Sequence, residues 1–240
     1  VCSCNNCIIC ENIVYMPIKK IIAFGSAKGG VGKSSITASI ALSLSKTKNV
    51  GVLDADIYGP NQNILFEINE KPSFDASKSI RPIKKNNIQI ISMGSILDQG
   101  KAAVWRGPML SSAIKQLINS TKWGNLDYLL IDMPPGTGDA YLTVFKEIKV
   151  NHFILVTTPN RLAISDAQKT ISLLEKLDVG ILGYISNNIY KSEDTLNDKL
   201  FPKNIKNLGN FNFDINIYNF DINYESQDAA DVAAVIEANV

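Results

Sequence analysis

The segment GSAKGGVGKSS, residues 25–35, has the residue types and spacing of a loop that binds phosphate. The general pattern is G-x-x-x-x-G-K-[ST], and here Ala27 stands at the first glycine position. In such a loop, backbone N–H groups surround phosphate oxygens, and the helix that follows adds the positive end of its dipole. The pattern predicts that seven residues contact nucleotide phosphates: Gly29, Gly30, Val31, Gly32, Lys33, Ser34 and Ser35.

A second lysine, Lys28, precedes these glycines, and KGGVGKS resembles the deviant Walker A motif of the MinD/ParA/Mrp group of nucleotide-dependent dimers. The resemblance implies that Lys28 reaches the phosphates bound in a facing subunit, where its charge would act as an arginine finger does. Lys33 is expected to reach the β- and γ-phosphates of ATP, and the Ser34 hydroxyl to ligate Mg²⁺. The implied assembly is a homodimer across the nucleotide.

Three aspartates follow predicted strands and supply the acidic groups of the site. Asp132 ends LDYLLID and precedes PPGTGD, so its carboxylate fits a Walker B residue that holds Mg²⁺ directly or through water. Asp54 and Asp56 lie in LDADIYGPN. From the group we assign to Asp56 the orientation or deprotonation of the attacking water, and to Asp54 a supporting role on the Mg²⁺ side. The division between the two, and a plain strand-capping role for Asp54, stay open.

Longer segments narrow the resemblance to one family. DADIYGPN, VWRGPMLSSAIKQLI, LLIDMPPGTGD and VTTPNRLAISDAQK closely resemble the Mrp/ApbC family of iron–sulfur cluster carrier ATPases. The resemblance implies an ATPase cycle that accompanies delivery of a [4Fe–4S] cluster to apo client proteins. It also implies that Asn188, in GYISNN, reads the adenine edge, since an amide both donates and accepts hydrogen bonds. A turn asparagine is the alternative.

The cysteines depart from the family pattern. Family members carry C-x-x-C shortly after that asparagine, and two subunits use it to hold a bridging cluster. This chain has 4 cysteines, and all of them lie within its first ten residues. Cys4, Cys7 and Cys10 have a C-x₂-C-x₂-C spacing that suits iron–sulfur or zinc ligation, and an oxidisable tail without metal fits the spacing equally well. The candidate ligands are Cys2, Cys4, Cys7 and Cys10.

Alternating strand-like and helical segments must position these groups. Apolar runs predict strands at 18–24, 50–53, 88–93, 126–131, 153–156 and 181–185, and helical spacing predicts helices at 34–46, 107–120, 165–177 and over the last fifteen residues. Strands that are apolar throughout and separated by helices predict an α/β, three-layer P-loop NTPase fold, with a mostly parallel sheet covered by helices on both faces. The chemical residues would then lie at the carboxyl ends of the strands.

The domain organisation expected from this pattern is a Cys-rich N-terminal tail over residues 1–17 and a single P-loop ATPase domain over 18–240, with a diverged C-terminal part. The polar segment 67–85 contains two prolines and is expected to run over the surface. A net charge of +1 gives no overall field that favours nucleic acid or anionic lipid. No apolar run reaches the ~18 residues of a membrane span, and no signal-peptide core is seen, so we expect a cytoplasmic protein without membrane or nucleic-acid partners.

Two other functions compete with the carrier. A positioning ATPase of the MinD/ParA type predicts a basic amphipathic C-terminal helix or a basic DNA-binding face. The last predicted helix instead carries Asp228, Asp231 and Glu237 and no Lys or Arg, which argues against the membrane version. A nucleotide-binding regulator that has lost cluster binding would explain the absence of cysteines after the predicted adenine-reading residue.

Overall fold

The computed structural model describes residues 18–96, 108–189, 201–202 and 204–240. The predicted tail with its cysteines lies outside these residues, as does the WR pair of the WRGPM segment, and the predicted division at residue 17 stays a prediction. Within the described residues the strands are β1 Ile18–Gly25, β2 Val50–Asp54, β3 Ser73–Phe74, β4 Ile80–Arg81, β5 Ile83–Lys85, β6 Ile88–Ser92, β7 Leu126–Asp132, β8 His152–Thr157, β9 Ile181–Asn187 and β10 Asn207–Phe211. The helices are α1 Lys33–Leu44, α2 Gln62–Leu65, α3 Met93–Ile96, α4 Pro108–Ser120, α5 Asp139–Glu147, α6 Arg161–Lys176, α7 Ile215–Tyr218 and α8 Gln227–Asn239.

One sheet of eight strands forms the centre of the described structure, in the order β10-β9-β8-β1-β7-β2-β6-β5. All neighbours run parallel except β5, which pairs antiparallel with β6 at one edge. The strands β3 and β4 form a separate two-stranded sheet. The predicted α/β fold with a mostly parallel sheet is therefore confirmed.

Apolar side chains cover both faces of the sheet, because successive residues of a strand point to opposite sides. On β7, Leu129 and Ile131 join a core with side chains of α4, α5 and α6. Their neighbours Tyr128 and Leu130 join a second core with side chains of α1 and α8. Helices thus lie on both faces, as the continuous apolar runs predict, and each fully buried side chain of this kind contributes roughly 1.5–3 kcal/mol.

Several predicted bounds differ from the structure. Helix α6 begins at Arg161, four residues before the predicted start, because the Asn160 side chain caps it by accepting a hydrogen bond from Leu162 N at 2.8 Å. Helix α5 was not predicted, since its N-cap Gly138 supplies no side-chain cap, although its apolar residues have helical spacing. The segment 67–85 is not only a surface excursion: it includes β5, where the buried Ile83 extends the main sheet.

The C-terminal part completes the sheet and the second core. Strand β10 pairs in parallel with β9. Helix α8 begins as predicted, because the Ser226 hydroxyl accepts a hydrogen bond from Ala229 N at 3.2 Å. The buried Val232 and Ile236 of α8 belong to the core that also contains α1. The helix that follows the glycine-rich loop is therefore held partly by the end of the chain.

Candidate functional site

The glycine-rich loop joins the central strand β1 to helix α1. Gly32, the N-cap residue of α1, has φ 81°, a conformation in which a side chain is strained. A Cβ at this position would also collide with Nδ2 of Asn187, which donates a hydrogen bond to the Val31 carbonyl at 2.8 Å. A glycine is required here for both reasons, and the loop is fixed against the end of β9.

Lys33 lies at the start of α1 and is only 6% exposed. Its ammonium group pairs with the fully buried carboxylate of Asp132, at the end of β7, and also donates to the Ser34 hydroxyl at 3.3 Å. Parallel β1 and β7 end side by side, which brings the two residues together. A phosphate in the loop would compete with Asp132 for the Lys33 ammonium, so this pair lies where nucleotide chemistry requires a mobile positive charge.

The loop after β2 is organised by Asp54. One carboxylate oxygen accepts a hydrogen bond from Asp56 N at 3.1 Å, and the other accepts from Gln62 N at 3.1 Å and from the Ser92 hydroxyl at 2.9 Å. Complete burial is the main cause that raises the pKa of Asp54 to about 7, and the charge of Asp132 adds to it. The hydrogen bonds from Gln62 and Ser92 act in the opposite direction and lower this pKa. Asp54 therefore holds the backbone of the loop, in addition to its predicted role on the Mg²⁺ side.

Asp56 is the aspartate of this loop whose side chain lines the pocket beside the phosphate-binding loop. It accepts hydrogen bonds from Tyr58 N and Gly59 N, both at 3.1 Å. Burial raises its pKa, and the nearby Lys33 charge opposes that effect. Asp56 thus lines the pocket and Asp54 does not, and the division of roles between the two stays a prediction.

Gln62 is a site residue that the sequence reasoning missed. It is the first residue of α2, its side chain is fully buried, and its Nε2 donates to Asp132 Oδ2 at 2.8 Å and to the Ser34 carbonyl at 3.1 Å. Its Oε1 is buried and has no hydrogen-bond partner among the described residues. No pattern marks this residue in the sequence, and the only signal was its position close after the loop of Asp54 and Asp56.

The pocket has a volume of about 390 Å³ and opens beside the glycine-rich loop. Its lining also includes Asn187 and Ile189, which lie against the loop at Gly32, and, from the segment after β10, Phe213, Ile217 and Tyr218. An aromatic and apolar wall beside an amide is suited to a flat heterocycle. The structure places all seven predicted phosphate-binding residues on the same pocket: Gly29, Gly30, Val31, Gly32, Lys33, Ser34 and Ser35.

Two adjacent asparagines lie at the end of β9, and the sequence predicts that the second, Asn188, reads the adenine edge. Asn187 lines the pocket, whereas Asn188 does not, and the backbone N–H of Asn188 donates to the Phe211 carbonyl at 2.8 Å. Adjacent residues at a strand end face opposite sides, so only one of the two asparagines can face the loop. The sequence predicts this role for Asn188, and it stays a prediction; Asn187 is the asparagine of the two that lines the pocket.

Lys28 directly precedes Gly29 in the loop, but it is not one of the pocket-lining residues. Its half-exposed ammonium pairs with Asp166 of α6 at 2.8 Å, and Asp166 also pairs with Lys169 at 2.9 Å. The hydrogen bonds from Lys28 and then Lys169 lower the pKa of Asp166. Lys28 therefore does not contact its own site here, and its predicted action on a facing subunit stays a prediction.

The oxygen atoms at this site are of the kinds that bind a magnesium ion. Among the described residues, no group of three or more His, Cys, Asp and Glu side chains is placed to hold a metal. Mg²⁺ in nucleotide sites needs no such cage, because it takes one or two carboxylates together with waters and phosphates. Asp132 supplies a carboxylate and Ser34 a hydroxyl oxygen for such a site. Within the same described residues, no helix is long and apolar enough to cross a membrane.

Three features of this site define the class of P-loop nucleotide-binding proteins. They are a parallel sheet, a glycine-rich loop between a central strand and its helix, and a lysine held by a strand-end aspartate. The family model described as ParA, NUBPL iron-transfer P-loop NTPase, matches residues 17–213. The chain belongs to this family, in agreement with the resemblance seen in its motifs.

Curated relatives carry the name iron–sulfur cluster carrier protein. The protein from Haemophilus influenzae is 46% identical over 172 residues, which is 71% of this chain and 46% of the relative. The protein from Rickettsia typhi is 49% identical over 177 residues, which is 73% of this chain and 55% of the relative. The chain thus spans about half the length of these curated relatives.

Solved structures share the fold. A nucleotide-binding protein from Archaeoglobus fulgidus in complex with ADP matches with a TM-score of 0.67 and 29% identity, over 93% of this chain and 90% of that one. The septum site-determining protein MinD from Pyrococcus horikoshii, complexed with Mg-ADP, matches with a TM-score of 0.70 and 20% identity, over 91% and 96% of the two chains. The second likeness concerns the fold alone.

Proposed function

We propose that this chain is a Mg²⁺-dependent ATPase that works as a homodimer and carries an iron–sulfur cluster to client proteins. The observation that carries the nucleotide chemistry is the buried Lys33–Asp132 pair directly beside the seven loop residues of the pocket. The name that the curated relatives share, iron–sulfur cluster carrier protein, supports an iron–sulfur cluster as the cargo. The ADP complex of the Archaeoglobus fulgidus protein supports an adenine nucleotide.

In the proposed reaction the loop N–H groups hold the phosphates, and Lys33 exchanges its contact with Asp132 for one with the β- and γ-phosphates. Asp132 is then available on the Mg²⁺ side together with the Ser34 hydroxyl. Mg²⁺ supplies positive charge at the phosphate oxygens when it is bound. Asp56, whose side chain lines the pocket, orients the attacking water, and Asn187 contacts the base.

Lys28 completes the proposed site from a second copy of the chain. Because its ammonium pairs with Asp166, it must leave this partner before it can reach a phosphate across an interface. A solvent-exposed ion pair of this kind is weak compared with a contact to a triphosphate. The pair therefore opposes dimer formation with ATP only slightly.

The cluster is expected on the N-terminal cysteines, because the sequence holds no cysteine after Cys10. The membrane-binding version of the competing positioning switch is disfavoured by helix α8, which carries three acidic residues and no basic one. The competing regulator without a cluster is separated from the carrier by whether iron binds. The experiment below makes that separation.

Anaerobic cluster reconstitution tests whether the chain binds an iron–sulfur cluster. The readouts are visible absorption and iron content. The intact chain should gain iron and the absorption of a cluster, and a variant lacking residues 1–12 should not. Absence of iron in both chains would favour the regulator. Iron retained without residues 1–12 would show that other groups ligate the cluster.

ATP turnover by single variants tests the nucleotide chemistry. Lys33→Ala should abolish ATP binding or turnover, whereas Lys28→Ala should impair turnover and largely spare binding. Lys46→Ala is the matched control, because Lys46 pairs with Glu225 on the surface, away from the pocket-lining residues. Unchanged hydrolysis in Lys28→Ala would contradict the site shared between two subunits.

A further inference from the structure

We propose that Gln62 is a positioning residue for Mg²⁺-dependent nucleotide binding. Its side-chain N–H groups hold Asp132 in place, and its side-chain oxygen accepts a hydrogen bond from a water of the hydrated ion. This inference rests on the proposed function, since it assigns a role to a residue of the same site.

The contacts of Gln62 join three parts of the site. The side-chain Nε2 donates to Asp132 Oδ2 at the end of β7 and to the Ser34 carbonyl in the first turn of α1. The backbone N–H donates to Asp54 Oδ2 at the end of β2. One residue thus fixes the distance between the helix that carries the predicted Mg²⁺ hydroxyl and the strand that carries the predicted Mg²⁺ carboxylate.

The burial of the Gln62 side chain costs free energy unless its side-chain oxygen finds a hydrogen-bond partner. Glutamine is mostly exposed in proteins, yet the Gln62 side chain is 0% exposed, and its Oε1 has no partner in the described part of the chain. An unsatisfied buried acceptor costs about 1–3 kcal/mol, so such atoms normally meet a water or an ion. Mg²⁺ keeps several waters when it binds in nucleotide sites, and these waters are donors. Because Gln62 Oε1 is closed to solvent here, a metal-bound water reaches it only when the surrounding side chains move as nucleotide and Mg²⁺ bind.

The charges of the site explain why a neutral amide serves here. Asp132 now has two partners, Lys33 on one oxygen and Gln62 on the other. When Lys33 turns to a phosphate, Gln62 is the partner that remains. A carboxylate at position 62 would repel Asp132, and a lysine would compete with Mg²⁺, whereas an amide donates to Asp132 and adds no charge.

A purely structural role for Gln62 makes a different prediction. If the side chain only fills the start of α2, replacing it would change stability but leave the effect of Mg²⁺ on nucleotide affinity intact. The decisive quantity is therefore the ratio of nucleotide affinities with and without Mg²⁺. It does not depend on turnover, and it compares each variant with itself.

The experiment measures binding of a fluorescent ATP analogue in Mg²⁺ and in EDTA, with Gln62→Met as the test variant. Methionine keeps the length of the side chain and removes both the donor and the acceptor. In the variant the tightening caused by Mg²⁺ should fall by about tenfold, the effect of one hydrogen bond to a charged group, and this ratio is the readout whatever the affinity measured in EDTA. Gln89→Met is the control, because Gln89 accepts its hydrogen bond from Gly124 N, in the loop before β7.

The outcomes separate the inference from the proposed function. A full Mg²⁺ effect in Gln62→Met would overturn the inference alone, and a wild-type chain that binds no nucleotide would overturn the proposed function. If Gln62→Met fails to fold, the side-chain amide resonances in the NMR spectrum of the wild-type protein test the proposal instead. Those of Gln62 should shift when Mg²⁺ is added to the complex with an ATP analogue, and those of Gln89 should not. An unmoved Gln62 resonance would contradict the proposal.

Discussion

The buried pair of Lys33 and Asp132 is the residue-scale feature on which the site depends. Both side chains lie out of water, at 6% and 0% exposure, so neither tolerates the loss of its partner. Gln62 gives Asp132 a second, uncharged partner. The same pair therefore contributes to stability and holds a lysine ready for phosphate.

Lys33→Met should destabilise the protein by about 3 kcal/mol, because it leaves the Asp132 charge buried without a counter-charge. The double variant Lys33→Met with Asp132→Asn should recover at least half of that loss, since asparagine is neutral and still accepts from Gln62. Urea unfolding of the two single variants and the double variant measures the coupling. Additive losses in this cycle would contradict the account of the pair.

Asp166→Asn should release Lys28 at little cost to stability, because the pair is half-exposed. We expect ATP turnover to rise by up to about fivefold, because Lys28 no longer has to leave an ion pair to reach the active arrangement. Steady-state phosphate release is the measurement. Lys169→Ala is the control, since it leaves the Lys28–Asp166 pair in place, and a variant as slow as Lys28→Ala would show that Asp166 serves catalysis instead.

At the residue scale, the sequence predicts the groups that follow a spacing rule. The glycine-rich loop and Asp56 reach the pocket because the pattern itself fixes their offsets. The choice between Asn187 and Asn188 depends on the last residue of β9, and strand ends are not set by composition. Gln62 was missed because its role comes from contacts with residues far away in the chain.

At the scale of elements, capping residues set where helices begin. Ser226 marks the start of α8 in the sequence and in the structure, whereas Asn160 has the same function for α6 and was overlooked. Strand β5 was hidden in a polar segment, because an edge strand needs only one buried side chain, here Ile83. Long apolar strands are thus predictable, and short edge elements depend on the sheet that receives them.

Ser226→Ala should lower the stability of the protein by about 1 kcal/mol, because it removes the acceptor for Ala229 N at the N-terminus of α8. The midpoint of thermal unfolding should fall by about 2–4 °C in a chain of this size. Ser226→Asp, which keeps an acceptor oxygen, should unfold near the wild-type temperature. Equal losses in both variants would show that the cap is not the cause.

At the scale of the whole molecule, nucleotide binding should stabilise the fold, because the pocket is built from the ends of several strands and exists only in the folded chain. With Mg²⁺ and ATP at about one hundred times the dissociation constant, the gain should be about 2.7 kcal/mol, or roughly 5–10 °C in the midpoint of thermal unfolding. Differential scanning calorimetry measures this shift. Lys33→Ala should show none of it, and an equal shift in that variant would place the nucleotide elsewhere.

Strand order has a consequence for synthesis on the ribosome. Strand β1 is the earliest described strand, yet its neighbours β7 and β8 follow much later, and Ile21 N bonds to an Asn151 side chain 130 residues away. At translation rates of about 5–20 residues per second, the nascent chain waits on the order of ten seconds before these partners emerge. During that interval the apolar residues of β1 have no sheet to join, so the segment that later carries the phosphate-binding loop stays exposed until β7 and β8 have been made.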